Sequence, residues 1–476
     1  MKIKFGTEGW RGVISRDFTF DGVRRVAGAL ADFLHEENSA GKGVAIGYDR
    51  RFLSAEYAAE CAGVLAARNI PVRLAEEYLP TPVLSFAVRD ENLAAGLMIT
   101  ASHNPPEWNG IKIKGPQGGP ASPELVSRVE KILGDSFGPE REVECLSLEE
   151  GRERGLVTAL DPRKSYLEAV FRIIDFEAIK KARLRVAVDS MHGCGAGWTA
   201  DILRDLGCEV TELNGSGDPL FGGIPPEPTE ERVTALLTLM KSGVFHFGVA
   251  NDGDADRLSA VDERGDYFSP QRIIAIFAKY LKTLRKMEGG AVKAVSATSM
   301  LDRLGERYGF TVLTTPVGFK HMSPYMSPGS GYFMAGEESG AIGVTSHLPE
   351  RDGVFNSLLL AEIAAVTGLG PRGYLEEIFR EIGPFDYGRL DLRFPREEMK
   401  GVHERVASIK AEGDLAGKRI ASVDNLDGRK IFREDNSWLL IRVSGTEPLL
   451  RIYAEASDKG EVEKLIRAGK ELAGIR

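Results

Sequence analysis

The stretch AAGLMITASHNPPEWNG, residues 94–110, decides how this chain is read. Its first half is an unbroken apolar run of the length of a buried strand. Its second half is a loop, because a helix cannot continue through Pro105 and Pro106 and the residue before a proline is pushed toward extended backbone. Ser102 therefore stands on irregular backbone at the end of an apolar run, beside His103 and Asn104. Two earlier runs, GVAIGYD from Gly43 and PVRLAEE from Pro71, complete a set of three.

The set recurs twice. LRVAVDS from Leu184, CEVTELN from Cys208 and VFHFGVAND from Val244 form the second; VKAVSATS from Val292, FTVLTTP from Phe310 and GYFMAGEES from Gly331 form the third. Strands alternating with amphipathic segments predict α/β domains built on parallel, doubly wound sheets, whose ligand loops lie at the carboxyl ends of strands. In each set the third run ends in a loop dense with functional side chains: SHNP, DGDADR and GEESG. The segment WLLIRVSGTEPLLRIYAEA from Trp438 reads as two strands around a turn, followed by a helix from about Lys459, and predicts a smaller α+β domain. The expected division is 1–150, 163–262, 266–382 and 386–476.

Bulk composition agrees with several domains, since 476 residues exceed the size at which one core stops growing. Lys and Arg total 61 against 70 Asp and Glu, a net charge of -9, which argues against a nucleic-acid or anionic-membrane surface. A few convergent cations could still bind a small anionic substrate. Cys61, Cys145, Cys194 and Cys208 include no Cys-x-x-Cys pair, so neither a zinc ribbon nor a redox motif is expected. Free thiols, no signal-like start and no run of about 18 apolar residues lead to the expectation of a cytoplasmic protein outside the membrane.

DGDADR places Asp252, Asp254 and Asp256 at alternate positions, and three hard oxygen donors this close favour a divalent cation, Mg²⁺ if a phosphate oxygen completes the site. An EF-hand is excluded because Arg257 stands where its sixth-position glycine is needed; a solvated acidic turn is the plain alternative. RVSGTEP combines Arg442, Ser444, Gly445 and Thr446, the guanidinium, hydroxyls and backbone N–H groups that suit a phosphate dianion, and equally an ordinary hairpin turn. GEESG suits sugar hydroxyls or a simple acidic turn, and Lys320 in VGFK is either a phosphate contact or a solvated lysine. HGCGAG, from His192, has Trp198 where the dinucleotide fingerprint needs glycine, and no P-loop or Gly-x-Ser-x-Gly elbow occurs. Ser102 is then either a turn residue or a nucleophile set up by alignment and a cation rather than by a Ser-His-Asp relay, with Lys112 placed to take or return a proton.

TASHNPPEWNGIK, DGDADR, GEESG and RVSGTEP, in that order, resemble the four signature loops of the α-D-phosphohexomutase family, and FGTEGWRGV, GYDRR and VGFK extend the likeness over essentially the whole chain. The resemblance implies three related α/β domains and a smaller C-terminal domain around a central cleft. It implies a phosphoserine at Ser102, Mg²⁺ held there by Asp252, Asp254 and Asp256, and a transfer site lined by Arg11, His103, Lys112 and Arg257. Glu337 and Ser339 would meet sugar hydroxyls, with Lys320 close by, and Arg442, Ser444, Gly445 and Thr446 would grip the far phosphate. The implied activity is interconversion of hexose 1-phosphate and 6-phosphate, activated by hexose 1,6-bisphosphate. GEESG and VGFK look more like the glucose and mannose members than the glucosamine branch. A phosphoglucosamine mutase and a metal-dependent sugar-phosphate phosphatase are the alternatives.

Overall fold

The computed structural model describes residues 3–6, 8–138, 142–409, 412–444 and 448–474. The third run of the first two sets becomes a strand buried at every position, Ala95–Ile99 and Phe247–Asn251. Such strands are apolar without alternation because both faces of the sheet are covered. Val44 and Ile46 enter one core cluster while Ala45, between them, enters another.

Each α/β sheet repeats one strand order. Side by side lie Val72–Ala75, Val44–Tyr48, Ala95–Ile99 and Trp108–Lys114 in the first sheet. Glu209–Leu213, Arg185–Asp189, Phe247–Asn251 and Leu258–Val261 follow the same order in the second, and Val312–Thr315, Gly290–Ala294, Tyr332–Gly336 and Ile342–Val344 in the third. The first three strands of every set are parallel. The fourth returns antiparallel, so the sheets are mixed rather than purely parallel as expected. The cause is loop length: the links Ile99 to Trp108, Asn251 to Leu258 and Gly336 to Ile342 are shorter than the dozen or so residues a parallel crossover requires. All three chemistry-bearing loops are therefore hairpin links at the same topological position.

Two expected boundaries move. The strand Val157–Leu160 pairs in parallel with Val72–Ala75, so the first sheet reaches beyond residue 150. The turn Asp262–Asp266 closes a hairpin, and its return strand Tyr267–Phe268 stays in the second sheet rather than opening the third domain. The C-terminal sheet is antiparallel throughout, in the order Asp386–Arg393, Leu449–Ala456, Trp438–Val443, Arg429–Arg433, Lys418–Asp424 and Asp414–Leu415. Helices Met399–Ser408 and Lys459–Ala473 contribute Val402, Val462 and Leu465 to its core. The molecule thus has three α/β domains and a C-terminal α+β domain. Among the described residues no single helix is long and apolar enough to cross a membrane.

Candidate active site

Ser102 has φ of 54°, the left-handed region that few non-glycine residues occupy, and it is 1% exposed. Its backbone is held on both sides. The Ser102 N–H donates to Thr100 Oγ1 at 2.8 Å, and the Thr100 hydroxyl donates to Asp49 Oδ2 at 2.5 Å. Arg51, paired with the same carboxylate at 3.1 Å, donates to the carbonyls of Ser102 (2.6 Å), Asn104 (2.7 Å), Pro105 (2.8 Å) and Trp108 (3.0 Å). One planar guanidinium thus organises a loop with no regular ladder of its own, and the Phe221 ring from the second domain lies 4.8 Å from its centre. Removing it takes a donor from four carbonyls and the countercharge from a buried carboxylate, so Arg51→Met is expected to destabilise the chain by roughly 3–5 kcal/mol in denaturant unfolding, with Arg51→Lys recovering only part.

The hydroxyl of Ser102 donates to Asp252 Oδ2 at 2.9 Å, across the boundary between the first two domains. Oxygens of Asp252, Asp254 and Asp256 lie within 4.8 Å of one another, and all three residues are buried. Burial, reinforced by Asp256 and Asp254, pushes the Asp252 carboxyl well above its usual range. Asp254 Oδ1 and Asp256 Oδ1 are buried without a hydrogen-bond partner. Orphan acceptors on an all-oxygen donor set are what a hard divalent cation would satisfy.

The opposite oxygens of the same carboxylates face cations. Lys112 Nζ donates to Asp254 Oδ2 at 2.6 Å and Asp256 Oδ2 at 2.7 Å. Burial opposes its charge, yet these carboxylates and Glu8 outweigh burial and hold the ammonium above its ordinary range. Arg351 from the third domain donates to Asp256 Oδ2 at 2.7 Å and to Glu8, and burial of Asp256 is outweighed by Arg351 and Lys112, which keep its carboxyl well below normal. Lys114 bridges Glu350 at 2.5 Å and Glu8 at 3.4 Å. Thr81, at the start of helix Thr81–Asp90, donates its hydroxyl to Asp254 Oδ2 at 2.5 Å and its N–H to the Asp254 carbonyl at 3.0 Å.

The remaining transfer-site residues of the sequence reading converge here. His103 Nδ1 is 3.4 Å from Ser102 Oγ, and burial, then Arg257 and Arg11, holds its imidazole well below the usual range. Arg11 donates to Asn104 Oδ1 at 2.6 Å, and Arg257 lies 3.8 Å from Asp252 and 3.6 Å from Glu227. Glu337 accepts from the Gly318 N–H at 2.6 Å, and burial with neighbouring Glu338 pushes its carboxyl up to about 7. Ser339 follows two residues later on the same loop, and Lys320 lies in the short turn Phe319–His321. Arg442 Nε donates to Asp427 Oδ2 at 2.8 Å, and Ser444 is buried just past the end of the strand Trp438–Val443. Gly445 and Thr446 lie outside the described residues.

Sequence reading missed the partners that complete this centre: Glu8, Arg51, Thr81, Lys114, Glu350 and Arg351. GYDRR and FGTEGWRGV contain two of them without exposing their roles. Glu350 and Arg351 immediately precede Asp352, which caps the helix Gly353–Thr367 by accepting from the Phe355 N–H at 2.9 Å.

Family models for the phosphoglucomutase/phosphomannomutase α/β/α domains I, II and III match residues 2–137, 164–265 and 269–382, and the model for the C-terminal domain matches 392–468. The chain belongs to the phosphoglucomutase/phosphomannomutase family. This phosphohexomutase is 32% identical to the phosphoglucomutase/phosphomannomutase of Thermococcus kodakarensis, over 98% of each chain. It is 29% identical to the phosphoglucosamine/phosphogalactosamine mutase of Sulfurisphaera tokodaii, also over 98% of each. A crystal structure from Thermus thermophilus, described provisionally as a phosphomannomutase, superposes with a TM-score of 0.87 at 37% identity over the full length of both chains. The phosphohexomutase is accordingly an isomerase, and its relatives are named for glucose, mannose and amino-sugar substrates.

Proposed function

We propose that this phosphohexomutase interconverts hexose 1-phosphate and hexose 6-phosphate, glucose first and mannose accepted, through phosphorylated Ser102 and a hexose 1,6-bisphosphate intermediate. The observation that carries this reading is the 2.9 Å contact of a strained, buried serine hydroxyl with an acidic triad that retains two orphan oxygens. Mg²⁺ held by Asp252, Asp254, Asp256 and an oxygen on Ser102 would neutralise charge on the transferring phosphoryl group.

The sugar's free hydroxyl oxygen bonds to phosphorus as the bond from phosphorus to Ser102 Oγ breaks, and the proton the sugar hydroxyl gives up is balanced by one delivered to Ser102 Oγ. After the bisphosphate turns over, its other phosphate bonds to Ser102 Oγ and the sugar oxygen departs as the product hydroxyl. Lys112, held as an ammonium, gives a proton to the departing Ser102 Oγ and regains one from the attacking sugar hydroxyl, and it is a fixed positive charge beside the triad. Arg11, His103 and Arg257 bracket the phosphoryl group. Glu337 and Ser339 orient the sugar, and Lys320, Arg442 and Ser444, with Gly445 and Thr446, hold the distal phosphate. Water must be excluded, since a hydrolysed phosphoserine ends the cycle.

The test supplies Mg²⁺, a trace of hexose 1,6-bisphosphate and, in turn, glucose, mannose and glucosamine 1-phosphates. Glucose 1-phosphate is expected to isomerise fastest, with Ser102 gaining one phosphate by intact mass. Release of inorganic phosphate in place of an isomer would indicate a phosphatase, and a faster rate on glucosamine 1-phosphate would move the enzyme to the amino-sugar branch.

A further inference from the structure

Asp427 lies in the hairpin between Lys418–Asp424 and Arg429–Arg433 of the C-terminal domain, outside all four signature loops. One of its oxygens serves two domains. Asp427 Oδ2 accepts from Arg442 Nε at 2.8 Å within its own domain and from the Val317 N–H at 3.0 Å in the third domain. The next amide along the chain, Gly318 N–H, donates to Glu337 Oε1 at 2.6 Å. Successive amides therefore point at two carboxylates from different domains. Gly318 permits this with φ of 122°, a conformation closed to residues bearing a Cβ. Arg442, Asp427, Val317, Gly318 and Glu337 form one unbroken chain of contacts.

The carboxylate beside Glu337, Glu338, is also reached from the C-terminal domain. Tyr453, on the strand that follows the RVSGTEP loop, donates its hydroxyl to Glu338 Oε1 at 3.2 Å, and Ser296 donates to Glu338 Oε2 at 2.5 Å. The docking that supports both contacts is substantial. Val295 of the third domain is buried with Trp438, Leu440 and Tyr453, Lys430 Nζ donates to the Val295 carbonyl at 2.6 Å, and Ser299 N–H donates to Glu455 Oε1 at 2.8 Å.

We propose that Asp427 is a positioning residue that makes grip on the ligand's far phosphate and orientation of the sugar-facing Glu337 a single event. When the C-terminal domain lies against the third domain, Asp427 aligns Arg442 and, through the Val317–Gly318 amides, sets Glu337; without Asp427, Glu337 loses its fixed direction. The inference rests on the proposed roles of Arg442 and Glu337.

A double-mutant cycle tests it. In full-length enzyme with hexose 1-phosphate, Asp427→Ala and Glu337→Gln are each expected to lower kcat/KM by about ten- to a hundred-fold, Asp427→Ala mainly through KM. In kcat, where Asp427 acts only through Glu337, the pair should cost no more than about threefold beyond the larger single loss, while the KM penalty through Arg442 persists in both backgrounds. Asp427→Asn retains an acceptor for the Val317 N–H and is expected to restore the Glu337 contribution while KM stays raised through Arg442. If the alanine variant does not fold, Asp427→Ser, too short to reach Val317, takes its place in the cycle. Additive losses beside a normal Glu337→Gln penalty would overturn the coupling and leave the mutase reading standing. No penalty from Glu337→Gln on any hexose phosphate would overturn both.

Discussion

Ser102→Ala is expected to lower mutase turnover by at least about 10⁴-fold while leaving hexose phosphate binding within a few-fold of the parent enzyme. The substitution deletes the oxygen proposed to carry the phosphoryl group and leaves the rest of the site in place. Arg51 and Thr100 hold the loop through the backbone of residue 102, so alanine inherits the same supports. Its methyl must occupy the left-handed backbone at φ of 54°, at a cost of about 1 kcal/mol that the serine already carries. Steady-state rates with a coupled isomer assay, calorimetric titration of glucose 1-phosphate, and intact mass after incubation with bisphosphate form the measurement. Turnover at the parent rate, or a phosphate still appearing on the protein, would remove Ser102 from the chemistry.

Asp252→Asn is expected to abolish activity and stabilise the metal-free protein together. At this position the side chain accepts the N–H groups of Asp256 (3.0 Å) and Arg257 (3.1 Å) through Oδ1, a pair of bonds asparagine can keep. What it loses is one of three buried negative charges that repel each other and resist desolvation. Relief of that repulsion should raise metal-free unfolding stability by on the order of 1 kcal/mol. The parent protein should gain stability as Mg²⁺ is titrated in, by an amount that grows with the logarithm of its concentration, and the variant should show little gain. Chelation should silence the parent enzyme reversibly. A variant that retains turnover, or whose melting temperature follows Mg²⁺ as the parent's does, would rule out the triad as the metal site.

Both experiments probe a centre whose parts differed in how visible they were in the linear chain. The central strands of the first two sets were legible because a strand buried on both faces reads as a nearly continuous apolar run, while outer strands such as Val72–Ala75, with Arg73 exposed, were legible by their β-branched residues and their place in the repeat. GVAIGYD, LRVAVDS and PVRLAEE contain Val44–Tyr48, Arg185–Asp189 and Val72–Ala75. VKAVSATS was read too far: the strand is Gly290–Ala294, and the remaining residues lead into the helix Met300–Tyr308. A periodicity argument cannot see where pairing partners run out. Strand direction was also hidden, and loop length was the one local clue to the antiparallel returns.

Contiguous chemistry was therefore determined by sequence alone: the serine loop, the alternating aspartates, the Glu337 loop and the Arg442 strand all carry their donors within a few residues of one another. Tertiary structure decided the pairings across domains: Ser102 with Asp252, Thr81 with Asp254, Arg351 with Asp256, and Asp427 with Val317. The reason is physical. A charge buried within a protein is stable only when another charge or dipole answers it, and for Asp254 and Asp256 the answering groups come from other domains, at sequence distances over which no local pattern survives.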